Sequence, residues 1–371
     1  MQLNIGIVGA GGFAHFAAKA FLQVAGMNIA AVHDINEAVA KELSDELHAK
    51  IYTDYDALLR DSNINLIYIA TPPFLHYQQS KKALLANKHV ICEKPAALHA
   101  EEAEELVTIA KSADLLYVVN LMQRYNFLYD VVKKIIDEKL AGNFLHGFFE
   151  NYASDENLNT EHWFWNEEKS GGIFIEHGVH FFDMFSGWLG EGKLVNAFAM
   201  QSSISKKITD RVQATVLYKD GFVNFYHGFN QPKILDRQEM RLQFEYGEIT
   251  LYEWIPVKIK LHGIFTNEQF KKILEQLPGA SVVYHNLYEE NSYKMKGRFS
   301  EKNFDVHITI EYGNTADKQN RYQQMISAMI TDQWNWIKNH KHIRIIDETN
   351  AVQSLKIAGE AIQTAKRYSV F

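Results

Sequence analysis

The sequence holds a single cysteine, Cys92, among 371 residues. One thiol excludes any intrachain disulfide and any cysteine-rich zinc or iron–sulfur site. Prolines number six, at positions 72, 73, 95, 232, 256 and 278, each at a predicted turn or loop edge. No Pro/Gly-rich linker, repeat or low-complexity stretch divides the chain. No apolar run approaches the ~18 residues that a membrane helix needs. There is no basic excess either: 38 Lys and Arg against 45 Asp and Glu leave a net charge of −7. Such a chain has no general attraction for phosphate backbones, so no nucleic-acid partner is expected. A strand opens at Leu3, which leaves no room for a signal peptide at this end; the expectation is a cytoplasmic protein with no membrane partner.

What is present is ordinary for a globular protein with a sizeable core: 47% hydrophobic, 22% charged and 13% aromatic residues. The length suggests two domains of roughly 150 residues or more. Short apolar runs alternate with helical patterns as far as Asn120. Strands are predicted at Leu3–Val8, Ile29–His33, Leu66–Ala70, His89–Cys92 and Leu115–Asn120. Helices are predicted at Phe13–Ala25, Asn36–His48, Ala57–Arg60, about Tyr77–Ala86, and Ala100–Ala113. Near-continuous apolar strands alternating with helices indicate a parallel sheet covered on both faces. After about residue 145 closely spaced strands follow, at Val212–Leu217, Phe222–Gly228, Met240–Tyr246 and Glu248–Leu251, with turn residues between them. Thr266–Leu277 reads as a helix with a Thr266/Gln269 capping box, stopped by Pro278-Gly279. Two late helices are predicted, about Arg321–Asn339 and Thr349–Tyr368. The expected fold is α/β: a doubly wound parallel-sheet domain over 1–120, then an α+β domain over 121–371 with a mostly antiparallel sheet.

Gly9-Ala10-Gly11-Gly12-Phe13-Ala14 fits G-x-G-x-x-G/A, directly after a strand and opening a helix. Gly9 permits the tight turn, Gly11 lets the backbone approach a pyrophosphate, and Ala14 allows close helix–strand packing. The phosphates would rest on unpaired N–H groups at the positive end of the helix, about Gly12 and Phe13. Asp34 ends the second predicted strand, twenty residues beyond Ala14, where an acid holds the ribose hydroxyls. A carboxylate there repels a 2′-phosphate, so NAD is favoured over NADP.

Three further motifs carry a resemblance. Ala70-Thr71-Pro72-Pro73-Phe74-Leu75-His76, the run Glu93-Lys94-Pro95 after the fourth strand, and Gly171-Gly172 through Glu176-His177-Gly178-Val179-His180-Phe181-Phe182-Asp183 together resemble the glucose–fructose oxidoreductase/inositol dehydrogenase (Gfo/Idh/MocA) family. The resemblance covers nearly the whole chain and is densest in residues 3–190. It implies an N-terminal Rossmann domain, a C-terminal domain with an open-faced sheet and an active site between them, with Lys94 near both nicotinamide and substrate hydroxyl and His180 sharing the acid–base work. Chemistry agrees, since oxidising an alcohol needs a base for the hydroxyl proton while hydride leaves carbon. It also implies cofactor contacts at Thr71, Pro72, His76, Glu93 and Lys94, a strained or cis bond at Lys94-Pro95, and a homodimer or homotetramer formed through the open sheet.

Glu176, His180 and Asp183 are spaced to share one helix face, which suggests that the two carboxylates orient substrate or imidazole. Many relatives carry aspartate where this chain has Glu176. Glu176, His177, His180 and Asp183 are also metal-ligand types, but the family is metal-independent and hydride transfer needs no metal, so none is expected. Arg124 either binds a polar substrate group or bridges the domains; relatives usually have proline where Phe127 stands. Trp163 either stacks on a sugar ring or belongs to a core aromatic cluster. His76 is either a cofactor contact or a plain residue at a helix start. Cys92 reads as a buried, inert thiol. Residues 252–310 are the least familiar and enlarge the sheet domain. The leading expectation is an NAD-dependent oxidoreductase acting on a secondary alcohol or ketone of a sugar, polyol or related small molecule. An NAD-retaining, redox-neutral glycoside hydrolase and a non-catalytic dinucleotide/sugar sensor are the alternatives.

Overall fold

The structure, a computed structural model, describes residues 2–203, 205–288, 293–296 and 301–369. The first half forms β1 (Leu3–Val8), α1 (Gly12–Leu22), β2 (Met27–His33), α2 (Glu37–Leu47), β3 (Lys50–Tyr52), α3 (Tyr55–Arg60), β4 (Leu66–Ile69), α4 (Pro73–Leu85), β5 (His89–Cys92), α5 (Ala100–Ser112) and β6 (Tyr117–Val119). All six strands are parallel, in the order β3-β2-β1-β4-β5-β6. The order reverses at β1, as in a doubly wound sheet, and ligands bind such sheets beyond the carboxyl ends at that reversal. Every residue of β4 is buried, because helices cover both faces. Cys92 is buried as well. α4 begins at Pro73, four residues before the predicted start, since a proline in the first turn needs no N–H partner.

The second half contributes α6 (Phe127–Asp137), β7 (Phe144–Tyr152), α7 (Glu167–Ser170), α8 (Val179–Leu189), β8 (Lys193–Gln201), β9 (Thr209–Leu217), β10 (Phe222–Gly228), β11 (Arg237–Phe244), β12 (Gly247–Tyr252), β13 (Lys258–Phe265), α9 (Asn267–Gln276) and β14 (Ser281–Leu287). It ends with the short pair β15 (Tyr293–Lys296) and β16 (Glu301–Phe304), then β17 (Val306–Gly313), α10 (Lys318–Lys338), α11 (Glu348–Thr364) and β18 (Lys366–Tyr368). Ten of these strands make one sheet, ordered β14-β17-β13-β12-β11-β7-β10-β9-β8-β18. Its pairs are antiparallel except β7–β10 and β8–β18. The final predicted helix therefore ends early: Lys366–Tyr368 leaves it to pair with β8. The predicted capping box at Thr266 and Gln269 does start α9.

α8 covers one face of this sheet with its aromatic side. Phe181 stacks on Phe149 of β7 with centroids 3.6 Å apart, and Phe182 and Phe185 meet Phe225 of β10 edge-on at 4.8 and 5.1 Å. The other face stays open, so β7 and β13 alternate buried with partly exposed side chains. The last two long helices return to the first half. α10 packs along α1, where the Ser327 hydroxyl donates to the Ala20 carbonyl at 2.9 Å and Tyr322 lies 4.8 Å from the Phe16 ring. α11 lies between α8 and α5.

Arg124 sits in a 3-10 turn (Met122–Tyr125) just after the parallel sheet. Its guanidinium donates to both carboxylate oxygens of Asp183 on α8, at 2.9 and 2.8 Å, and to the Asp183 carbonyl at 3.0 Å. The Asp183 side chain is 1% exposed. A buried charge stripped of its partner is costly, whereas replacing the whole pair with apolar groups is often close to neutral. Arg124→Met should therefore cost about 3–5 kcal/mol in urea unfolding, and Arg124→Met/Asp183→Leu should regain most of it. A single-variant loss under about 1 kcal/mol, the worth of a solvated pair, would contradict this.

Candidate active site

The glycine turn sits between the carboxyl ends of β1 and β2. Gly9 has φ +89°, and a Cβ there would come within 2.7 Å of the Ala70 carbonyl. Only glycine meets both demands. At Gly11 and Gly12 a Cβ would meet nothing within 4 Å, and no side chain caps α1. The head of the helix thus faces open space with its amides uncovered, which fits a diphosphate. Ala14 is fully buried against the sheet. The Asp34 carboxylate accepts from the Ala10 N–H and the Asn36 N–H, both at 2.8 Å. It is held beside the turn, and a carboxylate retains acceptor capacity for a ribose diol. A hollow of about 550 Å³ lies in front, lined by Gly12, Phe13, Phe16, Lys318 and Tyr322.

A cleft of about 800 Å³ continues from there between the two sheets. Phe13, Thr71, Glu93, Lys94, Trp163, Glu176, His177 and His180, all singled out in the sequence, line it. Lys94 follows β5, and its peptide bond to Pro95 is cis. Its Nζ donates to the Glu176 carbonyl at 2.8 Å and, through a closer contact, to the Glu176 carboxylate. Glu93 points the other way, accepting from the Tyr68 hydroxyl at 2.6 Å and the Asn120 amide at 2.8 Å. Burial pushes its carboxyl above the usual range, against those two bonds. Trp163 stands in a short turn before α7, 5.2 Å from the His162 ring, with its indole on the cleft.

A wide π-type turn, Phe174–Gly178, precedes α8 and carries Glu176 and His177. Such turns insert a residue into the helical ladder and re-aim side chains. Glu176 and His180 reach the cleft together. Asp183, about 4.5 Å further along the helix axis, does not. For Arg124 the bridging alternative is the one seen, and the substrate contact expected of Asp183 is corrected: the two residues bond to each other outside the cleft lining. For His76 the cofactor contact is the alternative that fails. It is 1% exposed, with Nδ1 2.7 Å from the Pro95 carbonyl and Nε2 2.6 Å from the Thr71 carbonyl, so it braces the two loops below the cleft. Pro72 is absent from the lining, where its neighbours Thr71 and Pro73 appear instead.

The sequence reading missed His227, Trp254 and Tyr322. His227 lies on β10, in line with the buried Val223 and Phe225, and its Nδ1 is 2.9 Å from Nδ1 of His177. An imidazole on the apolar side of a predicted strand was the available signal. Trp254 and Tyr322 come from remote segments and meet edge-on at 5.2 Å on the cleft wall; no local pattern announces them. Nδ1 of His180 and Nε2 of His227 are buried without a hydrogen-bond partner among the described residues. Burial, then the nearby positive charge of Lys94, push His177 down to about 3. Burial, Lys94 and His177 hold His180 well below the usual histidine value, and burial and His177 do the same for His227.

A depressed folded-state value favours the neutral ring. Its stabilising share is complete above the unfolded value of about 6.5 and is lost as pH falls through the folded value. The melting temperature should therefore decline steeply from pH ~6.5 downward, and less steeply in a His177→Asn/His227→Phe variant. Equal slopes for the two proteins would refute the assignment.

Residues 3–121 match the family described as "Oxidoreductase family, NAD-binding Rossmann fold", and residues 129–249 match the "GFO/IDH/MocA C-terminal domain". The chain is 30% identical over 185 residues to the glucose-6-phosphate 3-dehydrogenase of Bacillus subtilis, covering 49% of this chain and 52% of that one. It is 29% identical over 257 residues to an oxidoreductase of Formosa agariphila, covering 67% and 79%. Several matches, the Bacillus enzyme among them, thus span only about half of the relative's length. In fold, the chain superposes on KijD10, a 3-ketoreductase from Actinomadura kijaniata, with TM-score 0.76 at 14% identity over the full length of both chains. A putative myo-inositol dehydrogenase from Sinorhizobium meliloti superposes with TM-score 0.70 at 19% identity, covering 98% and 97%. Among the described residues no helix is long and apolar enough to cross a membrane. With both of its halves matched and the Lys94 and His180 motifs meeting in one cleft, the chain belongs to the GFO/IDH/MocA oxidoreductase family.

Proposed function

We propose that this protein is a nicotinamide-dependent oxidoreductase acting on a secondary alcohol or ketone of a sugar, polyol or related polar molecule. One observation carries the reading: Lys94, Glu176 and His180 converge in a cleft that opens beside the uncapped head of α1. A nicotinamide, when bound, accepts hydride from the carbinol carbon or returns it. The chain supplies the rest. Gly9, Gly11, Gly12, Phe13 and Ala14 shape the diphosphate cradle, and Asp34 holds the adenosine diol and repels a 2′-phosphate, which selects NAD.

Burial, Lys94 and His177 favour the neutral form of His180, and in that form its imidazole can take the hydroxyl proton during oxidation. Lys94 donates a hydrogen bond to the substrate oxygen and is steered there by the carbonyl and carboxylate of Glu176. In reduction the same proton returns to the oxygen. Trp163 and Trp254 offer flat apolar walls to the carbon skeleton, as aromatic residues do for sugar rings. The names of the Bacillus and Sinorhizobium relatives, dehydrogenases of a sugar phosphate and of a polyol, support this substrate class.

Lys94→Met should leave dinucleotide binding nearly intact while lowering turnover on a responsive sugar or polyol by ~10²-fold or more. The measurement is a substrate panel followed at the nicotinamide absorbance, run with NAD and with NADP. Undiminished turnover removes Lys94 from the chemistry, preference for NADP overturns the role of Asp34, and conversion without absorbance change selects redox-neutral chemistry.

We also propose self-association through the open face of the large sheet. Phe148, Tyr152 and Tyr226 lie there only partly buried, with Arg241 5.1 Å from the Phe148 ring. Light scattering should give a dimer or tetramer, and Phe148→Glu should shift it towards monomer. A monomeric wild type would end this reading.

A further inference from the structure

Three histidines outside the cleft converge on the open face of the same sheet. His262 is on β13, His307 on β17 and His285 on β14, three adjacent strands. One ligating nitrogen from each lies within 4.8 Å of the other two. Nε2 of His262 and Nε2 of His307 are 3.3 Å apart. That separation equals the ~3.3 Å edge of a tetrahedron built on zinc–nitrogen bonds of 2.0–2.1 Å.

The surroundings are arranged for ligation. Thr309 pairs across the ladder with His262, and its hydroxyl is 2.9 Å from Nδ1 of His262 and 2.9 Å from Nε2 of His285. A hydroxyl oxygen has two acceptor lone pairs, so it can take an N–H from each ring. In that arrangement Nε2 of His262 carries a bare lone pair aimed at His307. Metal-binding histidines are held in the same way, one nitrogen on the ion and the other donating to an oxygen. His285 is the extra residue of a bulge in β14, between Tyr284 and Asn286, and bulges commonly re-aim a side chain.

We propose that His262, His285 and His307 form a site for a divalent transition-metal ion, of which zinc is the test case, with a water as fourth ligand. Three imidazoles without a carboxylate or thiolate suit zinc, copper or nickel and not magnesium or calcium. The ion's task is structural. β14 is an edge of the ten-stranded sheet, six of its seven residues are exposed, all but Val282, and edges without a cover invite wrong pairing. A metal joining β14 to β17 and β13 fastens that edge. The site is separate from the dinucleotide cleft and does not depend on the function proposed above.

The test uses the full-length chain, free of any histidine tag and treated with chelator, then titrated with zinc chloride by calorimetry. One saturable zinc per chain, no response to magnesium, and a melting temperature raised by a few degrees are expected. His285→Gln, on an exposed position, should weaken zinc binding at least ~10-fold, and His262→Gln/His307→Gln should abolish it. Both variants should keep wild-type circular dichroism and dinucleotide binding. If the double variant misfolds, His285→Gln alone decides. Absence of saturable zinc binding by the wild type, or wild-type affinity in His285→Gln, overturns the site.

Discussion

The contact between Lys94 and Glu176 is the constraint on which the cleft rests. The two residues are 82 positions apart, one at the carboxyl end of the parallel sheet and the other in the turn that starts α8. Side-chain exposures of 19% and 12% mean that both charges have surrendered most of their water. Desolvation on that scale is tolerated only when the remaining partners are well placed. The Glu176 carbonyl supplies a second acceptor for the ammonium, so the lysine is fixed by backbone as well as by charge. Fixing Lys94 fixes the width of the cleft, because its two walls belong to different sheets.

Other bonds across the same seam are built to a common plan. Gln123 donates to the Trp254 carbonyl at 2.7 Å, Asn126 to the Pro256 carbonyl at 2.8 Å, and the Tyr125 hydroxyl to Asp332 at 2.6 Å. Each of these donors finds its acceptor on a residue far away in sequence. Such bonds add little net stability individually, yet leaving one unmade is expensive. The seam therefore tolerates one arrangement of the halves, and that arrangement puts Trp254 and Tyr322 opposite the glycine turn.

The halves differ in how much of this was legible. Strands of the parallel sheet are apolar throughout because both faces are covered, and the turn at Gly9 is demanded by local sterics; a sequence displays both directly. β7 was invisible for the opposite reason. Phe144-Leu145-His146-Gly147-Phe148-Phe149-Glu150-Asn151-Tyr152 mixes polar and aromatic residues because one face is open and Asn151 sits at the cleft. Family resemblance supplied Lys94 and His180, which spacing alone left undetermined. Asp183 went astray because a three-residue spacing permits a shared face but does not require one. Its partner, Arg124, lies 59 residues upstream, and only the tertiary structure brings the two together.

Electrostatics then divides the labour in the cleft. A lysine and a histidine close to one another cannot both hold a proton cheaply in a site that excludes water. Here burial around α8, the positive charge of Lys94 and the neighbouring His177 all act in one direction on His180. The Asp183 carboxylate is taken up by Arg124 and lines no part of the cleft, so it is not among the groups acting on that ring. On the proposed reading, the neutral imidazole receives a proton in oxidation, and the ammonium beside it ensures that the proton is readily returned.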